Sequence, residues 1–454
     1  MNHLRLIVAW CTLPLSFALI TPELSAATLF WDADADGGNA IIGGTGTWDT
    51  ATVQWDIDAD NGNSNNTTWT NGINIASFGG TSGTVTLGEP ITVGGLEFLS
   101  DGYIITGSGG NVLTLTDSGT INVATGLHAA VTADIAGTVG LVKNGNGTLN
   151  LGPSNSFTGS TVINAGVLQV YKDESLGSGN GAIQINGGTL SALGNNFYST
   201  RDIAVGASGA TLDVTRNYSN WGSMRLKGVI SGAGTLTKTG FGELRLDGDS
   251  SGFTGQVIVD QGILRLYAYT DRGTVTNLPA LGASSYMVRS GGDFQLQYNA
   301  LGSTPYYSAI SETAPIHMEG GRLTYYSNNS GAVSPWTQST GDLFLDRGSS
   351  RFYIHRTSSS SATLLSFGNL TRAQSATVSF DYTTTSGTLG ELGNNPLIKF
   401  ANSPTSNDGV LGGWALVTWW DLHDIRTGRL VTATAGATDN VDYNNERHDG
   451  DYRY

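Results

Sequence analysis

The chain has 454 residues, 64 of them glycine, with 39% apolar and only 13% charged, which is enough apolar material for a large core on a turn-rich backbone. Lysine and arginine total 22 against 37 aspartates and glutamates, a formal charge of −15. Such a field repels phosphate backbones and anionic lipid, and no basic run offsets it, which speaks against nucleic acid or a membrane surface as partner.

Residues 1–27 read as a secretory signal: His3 and Arg5 form a short polar start, Leu6 to Ile20 is apolar, and Ser25, Ala26 and Ala27 offer a cleavage site. The apolar stretch is too short and badly flanked for a membrane anchor, so a secreted or cell-surface location is expected, with no transmembrane segment in the mature chain. Cys11 is the single cysteine and falls inside this leader, which leaves the mature chain without disulfides, Cys-ligated metals or a Cys nucleophile.

Residues 28–75 are expected to form an N-terminal capping segment. Within it Asp32, Asp34 and Asp36 precede Gly37, and Asp56, Asp58 and Asp60 repeat the spacing before Asn61-Gly62. Oxygen ligands at alternate positions suit calcium. The twelfth position of each loop is Gly43 or Thr67 rather than a bidentate glutamate, so the cage is incomplete and solvated turns are the plainer reading. No cofactor is expected, and calcium is the one ion this pattern admits.

From residue 76 to 454 the chain reads as a β-solenoid. Leu149, Leu168, Leu190 and Leu212 recur at spacings of 19, 22 and 22, about the length of one coil, and each sits in a short alternating stretch such as Thr148-Leu149-Asn150-Leu151. Turn signals separate the stretches: Gly145-Asn146-Gly147, Gly187-Gly188, Gly291-Gly292 and Gly320-Gly321. A longer repeat joins residues 137–170 to 232–266. Lys143 matches Lys238, Gly145 and Gly147 match Gly240 and Gly242, and Leu149 and Leu151 match Leu244 and Leu246, all 95 residues apart. One inserted residue later, Phe157-Thr158-Gly159 matches Phe253-Thr254-Gly255. The expected fold is therefore all-β, a right-handed parallel β-helix with a short N-terminal cap. A β-sandwich or propeller is the competing architecture.

The order G-x-G-x-L-x-L, F-T-G, then a G-x-L strand resembles the autotransporter-associated beta strand repeat, a module of bacterial exported and surface proteins that folds as β-helix coils. Trp31-Asp32, Gly46-Thr47-Trp48-Asp49 and Ile91-Thr92-Val93-Gly94-Gly95-Leu96 look like the opening segment of such proteins, and Gly412-Gly413-Trp414-Ala415 looks like a late coil. The family often carries a C-terminal outer-membrane barrel or a sorting tail. Neither pattern occurs before Tyr454, so the chain reads as a truncated portion of a longer protein.

The richest chemical cluster is Trp414, Trp419, Trp420, Asp421, His423 and Asp424. Its three tryptophans are candidate platforms for stacking on sugar faces, although alternate rings in a β-helix point into the core. The enzymatic rival is a polysaccharide lyase or glycoside hydrolase on a β-helix. A lyase would draw its positive group from Arg201, Arg216, Arg225, Arg245 or Arg265, of which Arg245 and Arg265 read as solvated outward positions. There is no adjacent aspartate pair and no Gly-His-Gly, and His128, His317, His355, His423 and His448 are scattered. The glycines lie between strands with no helix to receive a phosphate. The reading is an exported, non-catalytic passenger-type protein, structural or adhesive, with multivalent contacts to polysaccharide or cell-surface glycans; no motif specifies an oligomeric state.

Overall fold

The computed structural model describes residues 26–34, 41–58, 66–194, 196–215, 222–271, 274–277, 280–299, 308–327, 336–356, 363–384, 396–402, 415–421 and 424–429. Apart from one short 3-10 turn, Asp173–Leu176, the described elements are β-strands. No helix among these residues is long and apolar enough to cross a membrane.

The strands stack into three long sheets of 12, 14 and 11 strands. The first runs from an N-terminal ribbon to Ile230–Gly232, the second from Gly46–Trp48 to Leu370–Arg372, and the third from Asn196–Ser199 to Asp424–Arg429. Neighbours within a sheet are one coil apart in sequence and pair parallel, the arrangement of a parallel β-helix. From residue 183 onward one coil visits the first, second and third sheets in turn. After Asp249 the place of the first sheet passes to two smaller ones, Asp249–Ser250 with Ala280–Leu281, then Trp336–Ser339 with Thr363–Phe367 and Pro396–Phe400. Fourteen stacked strands at the usual separation make the second sheet roughly 60 Å long.

The leucine spacing becomes a physical column. Leu149 pairs with Leu168, Leu168 with Leu190 and Leu190 with Leu212, and all four side chains are wholly buried. Alternation then turns the intervening residues outward, where short polar ladders lock the register. On the first sheet's edge Asn164 donates to Asn144 at 2.9 Å and Asn186 donates to Asn164 at 2.8 Å. A slip of one residue would move every leucine to the solvent side, so the buried column sets the register and the amides reinforce it.

Two lysines interrupt the apolar columns. Lys143 stands between Ile121 and Ile163 on the first sheet, and Lys238 between Leu212 and Val259 on the second. Both are buried. Lys143 Nζ donates to the carbonyls of Asn144, Gly145 and Ala165 at 2.7, 2.7 and 3.3 Å; Lys238 Nζ donates to those of Thr239, Gly240 and Gln261 at 2.6, 2.7 and 3.1 Å. In each case two acceptors belong to the corner just after the lysine and the third to the next coil. Glycine is required at that corner: φ is +72° at Gly145 and +74° at Gly240, and a Cβ there would lie 2.2 or 2.4 Å from the carbonyl oxygen of Val123 or Val214.

The matching lysines sit on different faces. The first repeat sets its strands on the first and second sheets, whereas the second sets Leu236–Thr239 and Glu243–Leu246 on the second and third. What recurs at 95 residues is therefore a corner, carried one face around the helix.

Parallel pairing ends at both limits of the described coils. Thr28–Trp31 pairs antiparallel with Val53–Asp56, which pairs with Asn66–Thr68. Under this ribbon Trp31, Trp48, Trp55 and Trp69 are buried, with ring centroids 4.8 to 5.2 Å apart in successive pairs, and the first three pack on Phe78. Trp31 Nε1 donates to the Gly44 carbonyl at 3.0 Å and Trp69 Nε1 to that of Thr92 at 3.2 Å, so both indoles satisfy their polar atom while burying the ring. At the other limit Ala415–Asp421 turns back into Asp424–Arg429, again antiparallel.

Removing one corner ammonium leaves buried carbonyls without their donor. Lys143→Met and Lys238→Met should each destabilise the chain by about 2–4 kcal/mol in denaturant unfolding, with lost amide exchange protection centred on residues 141–166 or 236–262. Burial lowers both lysines from 10.5 to about 8. Between these values the unfolded chain binds more protons than the folded one, so stability rises with pH from about 8 to 10.5 and has no lysine-dependent slope below. The wild type should gain on either methionine variant across that window, and on neither below it.

Candidate functional site

The third sheet carries a chemically distinct outer face. Tyr198, Arg225, Arg245, Arg265, Gln295, Thr324, Tyr353 and Asp381 are successive register partners. A parallel outer row runs through Tyr267, Gln297, Tyr326 and His355. The alternate positions form the core: Leu226, Leu246, Leu266, Leu296, Tyr325 and Ile354 are at most 2% exposed. The two-residue period of the strand thus sorts the same segments into an apolar inner row and a polar, aromatic outer one.

On this face the carboxylates lie low and the guanidinium groups cover them. The Asp247 side chain is 0% exposed and receives Arg225 and Arg245, the latter at 2.7 Å, while those arginines remain 34% and 20% exposed. Arg265 pairs with Glu243 at 3.1 Å and donates from Nε to Gln295 at 3.0 Å. Gln295 in turn donates to Asp293 at 2.5 Å, and buried Asp293 also receives Arg322 and, at 2.8 Å, the Thr324 hydroxyl. Arg351 closes on Asp381. The bond to Asp293 raises Arg322 above its ordinary value, and burial pushes the Asp381 carboxyl up while Arg351 pulls it back.

Aromatic rings flank this network. The Arg245 guanidinium lies 4.0 Å from the centroid of Tyr267, Arg225 lies 5.6 Å from that of Tyr198, and Arg351 lies 5.7 Å from that of Tyr353. Tyr326 and His355 stack at 4.4 Å, and burial lowers His355 below its ordinary value, which favours the neutral ring at pH 7.

Arg245 and Arg265 do lie on an outer face, as their alternation implies, but as paired, partly buried groups rather than solvated ones. The acids that hold them went unread in the sequence. Their signal is in the aligned five-residue stretches Glu243-Leu-Arg-Leu-Asp247, Ile263-Leu-Arg-Leu-Tyr267, Asp293-Phe-Gln-Leu-Gln297, Arg322-Leu-Thr-Tyr-Tyr326 and Arg351-Phe-Tyr-Ile-His355, which line up charge and aromaticity at every second residue. Arg201 is elsewhere, 3% exposed on its side chain, bonded to Asp173 at 3.0 Å and to the carbonyls of Gly181 and Gly177 at 3.1 and 2.8 Å, a structural post at a corner. Arg216 lies outside the described residues.

Of the six sequence-selected aspartates, Asp36 and Asp60 lie outside the described residues. Asp32 is wholly buried: its Oδ1 accepts from the Ile42 amide at 3.3 Å and its Oδ2 is buried with no hydrogen-bond partner. Asp56 is buried as well and accepts from the Asp58 amide at 2.8 Å, and the register opposes it to Phe30, two residues before Asp32. Asp34 is exposed and Asp58 partly so. Among the described residues no three acidic, histidine or cysteine side chains converge as a metal cage. Of the tryptophans, Trp414 lies outside the described residues; Trp419 and Trp420 belong to the strand Ala415–Asp421, where Trp419 is the register partner of Tyr382 and, across the hairpin, of Arg426.

Comparison with known proteins joins these features. Residues 141–170 and 236–266 match the model of the passenger-associated-transport-repeat. These segments contain both buried lysines, and the second also contains Glu243, Arg245 and Arg265 of the outer face. The chain is 35% identical over 261 residues to the adhesin BmaC autotransporter of Brucella suis biovar 1, a match covering 53% of this chain and 7% of that protein. No solved structure matches the chain. The corner lysines, the glycines beside them and the stacked strands they join thus lie within two segments that match the passenger-associated-transport-repeat, set in a parallel β-helix, in a chain similar over about half its length to a small part of an autotransporter adhesin.

Proposed function

We propose that the chain is part of the exposed passenger of an exported protein, a stiff non-catalytic rod that attaches to polysaccharide or cell-surface glycans. The observation that carries this reading is the 35% identity to an adhesin autotransporter, which extends over more than half of the chain. The physical chemistry is consistent with it. Coils joined by backbone hydrogen bonds make a rigid support, and a rigid support lets many weak contacts act together without ordering cost at each. The third-sheet face supplies rings and hydrogen-bonding groups at every strand.

The test is retention of residues 28–454 on a panel of insoluble and soluble polysaccharides, with release of reducing ends and unsaturated products followed in the same samples. Retention without product is expected. Product release would overturn the non-catalytic reading in favour of a lyase or hydrolase, and absence of retention on every member of the panel would overturn the adhesive one.

No cofactor is part of this reading; calcium at the N-terminal segment is the alternative, and its support is the buried Asp32 Oδ2 that lacks a donor. On that alternative millimolar calcium raises the melting temperature, and Asp32→Asn removes the rise. An unchanged melting temperature would remove calcium from the account.

A further inference from the structure

The outer face of the third sheet inverts the sign of the chain that bears it. The whole chain is at −15, yet the outer side of this sheet between residues 196 and 355 holds Arg225, Arg245, Arg265, Arg322 and Arg351 against Glu243, Asp247 and Asp293. Adding Asp381 one strand further on still leaves the cations in excess. Depth sharpens the asymmetry. Asp247, Asp293 and Asp381 side chains are 0%, 7% and 3% exposed, while Arg225, Arg322 and Arg351 are 34%, 42% and 39% exposed. Asp247, Asp293 and Asp381 therefore serve as anchors at sheet level, and the surface that a ligand meets is made mainly of guanidinium groups, with Glu243 at 23% exposure beside Arg265 at 25%.

A guanidinium carries five N–H donors, and the bonds from Arg225, Arg245 and Arg351 to their internal carboxylates run through Nε. Held this way, the group is fixed in orientation before any ligand arrives, which reduces the ordering cost of a second, bidentate carboxylate contact. The arginines recur at the strand separation, about 4.8 Å, along the helix axis, so they address a chain polymer rather than a compact ion. Tyr198, which is 45% exposed, adds an aromatic ring to the same strip, and Tyr267 and Tyr326, packed on Arg245 and His355, are partly exposed beside it.

From this juxtaposition we propose that the third-sheet face binds an acidic polysaccharide with carboxylate groups, laid along the helix axis from the Tyr198 strand toward the Tyr353 strand. This deepens the adhesive reading above and rests on it. A densely sulfated polymer carries more charge per sugar than a polyuronate and so meets more repulsion from the −15 field, which makes it the poorer fit to a strip of small positive excess.

The experiment measures binding of residues 28–454 to polygalacturonate, with neutral dextran and dextran sulfate as comparators, at low and at physiological salt. Two variants report on the face. Gln297→Glu places a negative charge between Tyr267 and Tyr326 without removing an ion pair, and Arg265→Gln removes a cation whose partner Glu243 is partly exposed. Unchanged melting temperatures show that both variants are folded. Polygalacturonate is expected to bind in preference to both comparators, to weaken as salt rises, and to lose about fivefold or more in affinity with each variant. Equal binding by both folded variants, or preference for dextran sulfate, would overturn the proposal. Retention on neutral glycans alone would overturn it while leaving the adhesive function standing; no retention on any polysaccharide would overturn both.

Discussion

The corner ammonium is the interaction on which the coil geometry turns. A parallel β-helix must bend its chain sharply between faces, and each bend aims carbonyl groups away from the strand ladders that would otherwise satisfy them. At Lys143 and Lys238 one buried side chain meets three such carbonyls, two from its own corner and one from the coil above. The contact is local and long-range at once: it closes the turn and ties that turn to the next layer. An apolar residue at either place would fit the column of isoleucine or leucine but leave the corner unpaired. The low pKa direction at both lysines records the desolvation that the fold tolerates to keep this contact.

Because the device belongs to the corner, it is indifferent to the face. The first repeat makes its bend between the first and second sheets and the second between the second and third. The chain between them has added strands on a third side, beginning at Asn196–Ser199, so the helix changes its coil plan without changing its module. Stability in such a stack is a sum of coil and nearest-neighbour terms, and a module that joins neighbours can therefore be placed wherever a bend is needed. The antiparallel ribbon over the tryptophan cluster and the hairpin ending at Arg429 do a different job, since they end a parallel run rather than extend it.

Periodicity carried much of this into the sequence. The spacings among Leu149, Leu168, Leu190 and Leu212 translate directly into register because a buried column demands one residue per coil at the same depth. Lys143 and Lys238 were visible as equivalent positions, but nothing in their spacing says that they point inward; charge argues the other way, and only the three carbonyls around each explain the burial. Trp31 and Trp48 read as landmarks of the family resemblance, whereas together with Trp55 and Trp69, which went unread, they act as an aromatic plug, a role set by which strands stack on which. Azimuth was the quantity least legible. The period tells how far apart coils are, not which side of the helix a segment faces, so the shared face of Arg245, Gln295 and Tyr353 emerged only from pairing. Asp36, Asp60 and Trp414 lie outside the described residues, and the side chains of Trp419 and Trp420 are not described.

The scarcity of charge gives the third-sheet face its character. In a chain with only 13% charged residues, five arginines on six successive strands of one sheet are a marked concentration, and the like-charged pairs this creates, Arg225 with Arg245, Arg245 with Arg265 and Arg322 with Arg351, are unfavourable when directly stacked. The fold resolves that repulsion from beneath, with Asp247 shared by two guanidinium groups and Asp293 tied to Arg322, Gln295 and Thr324. Burying the acids strengthens each pairing by lowering the local dielectric, and the same burial withdraws negative charge from the surface. A single arrangement therefore satisfies two demands that conflict in open solvent. The arginines are held in register against one another, and the face they form is positive on a molecule that is not.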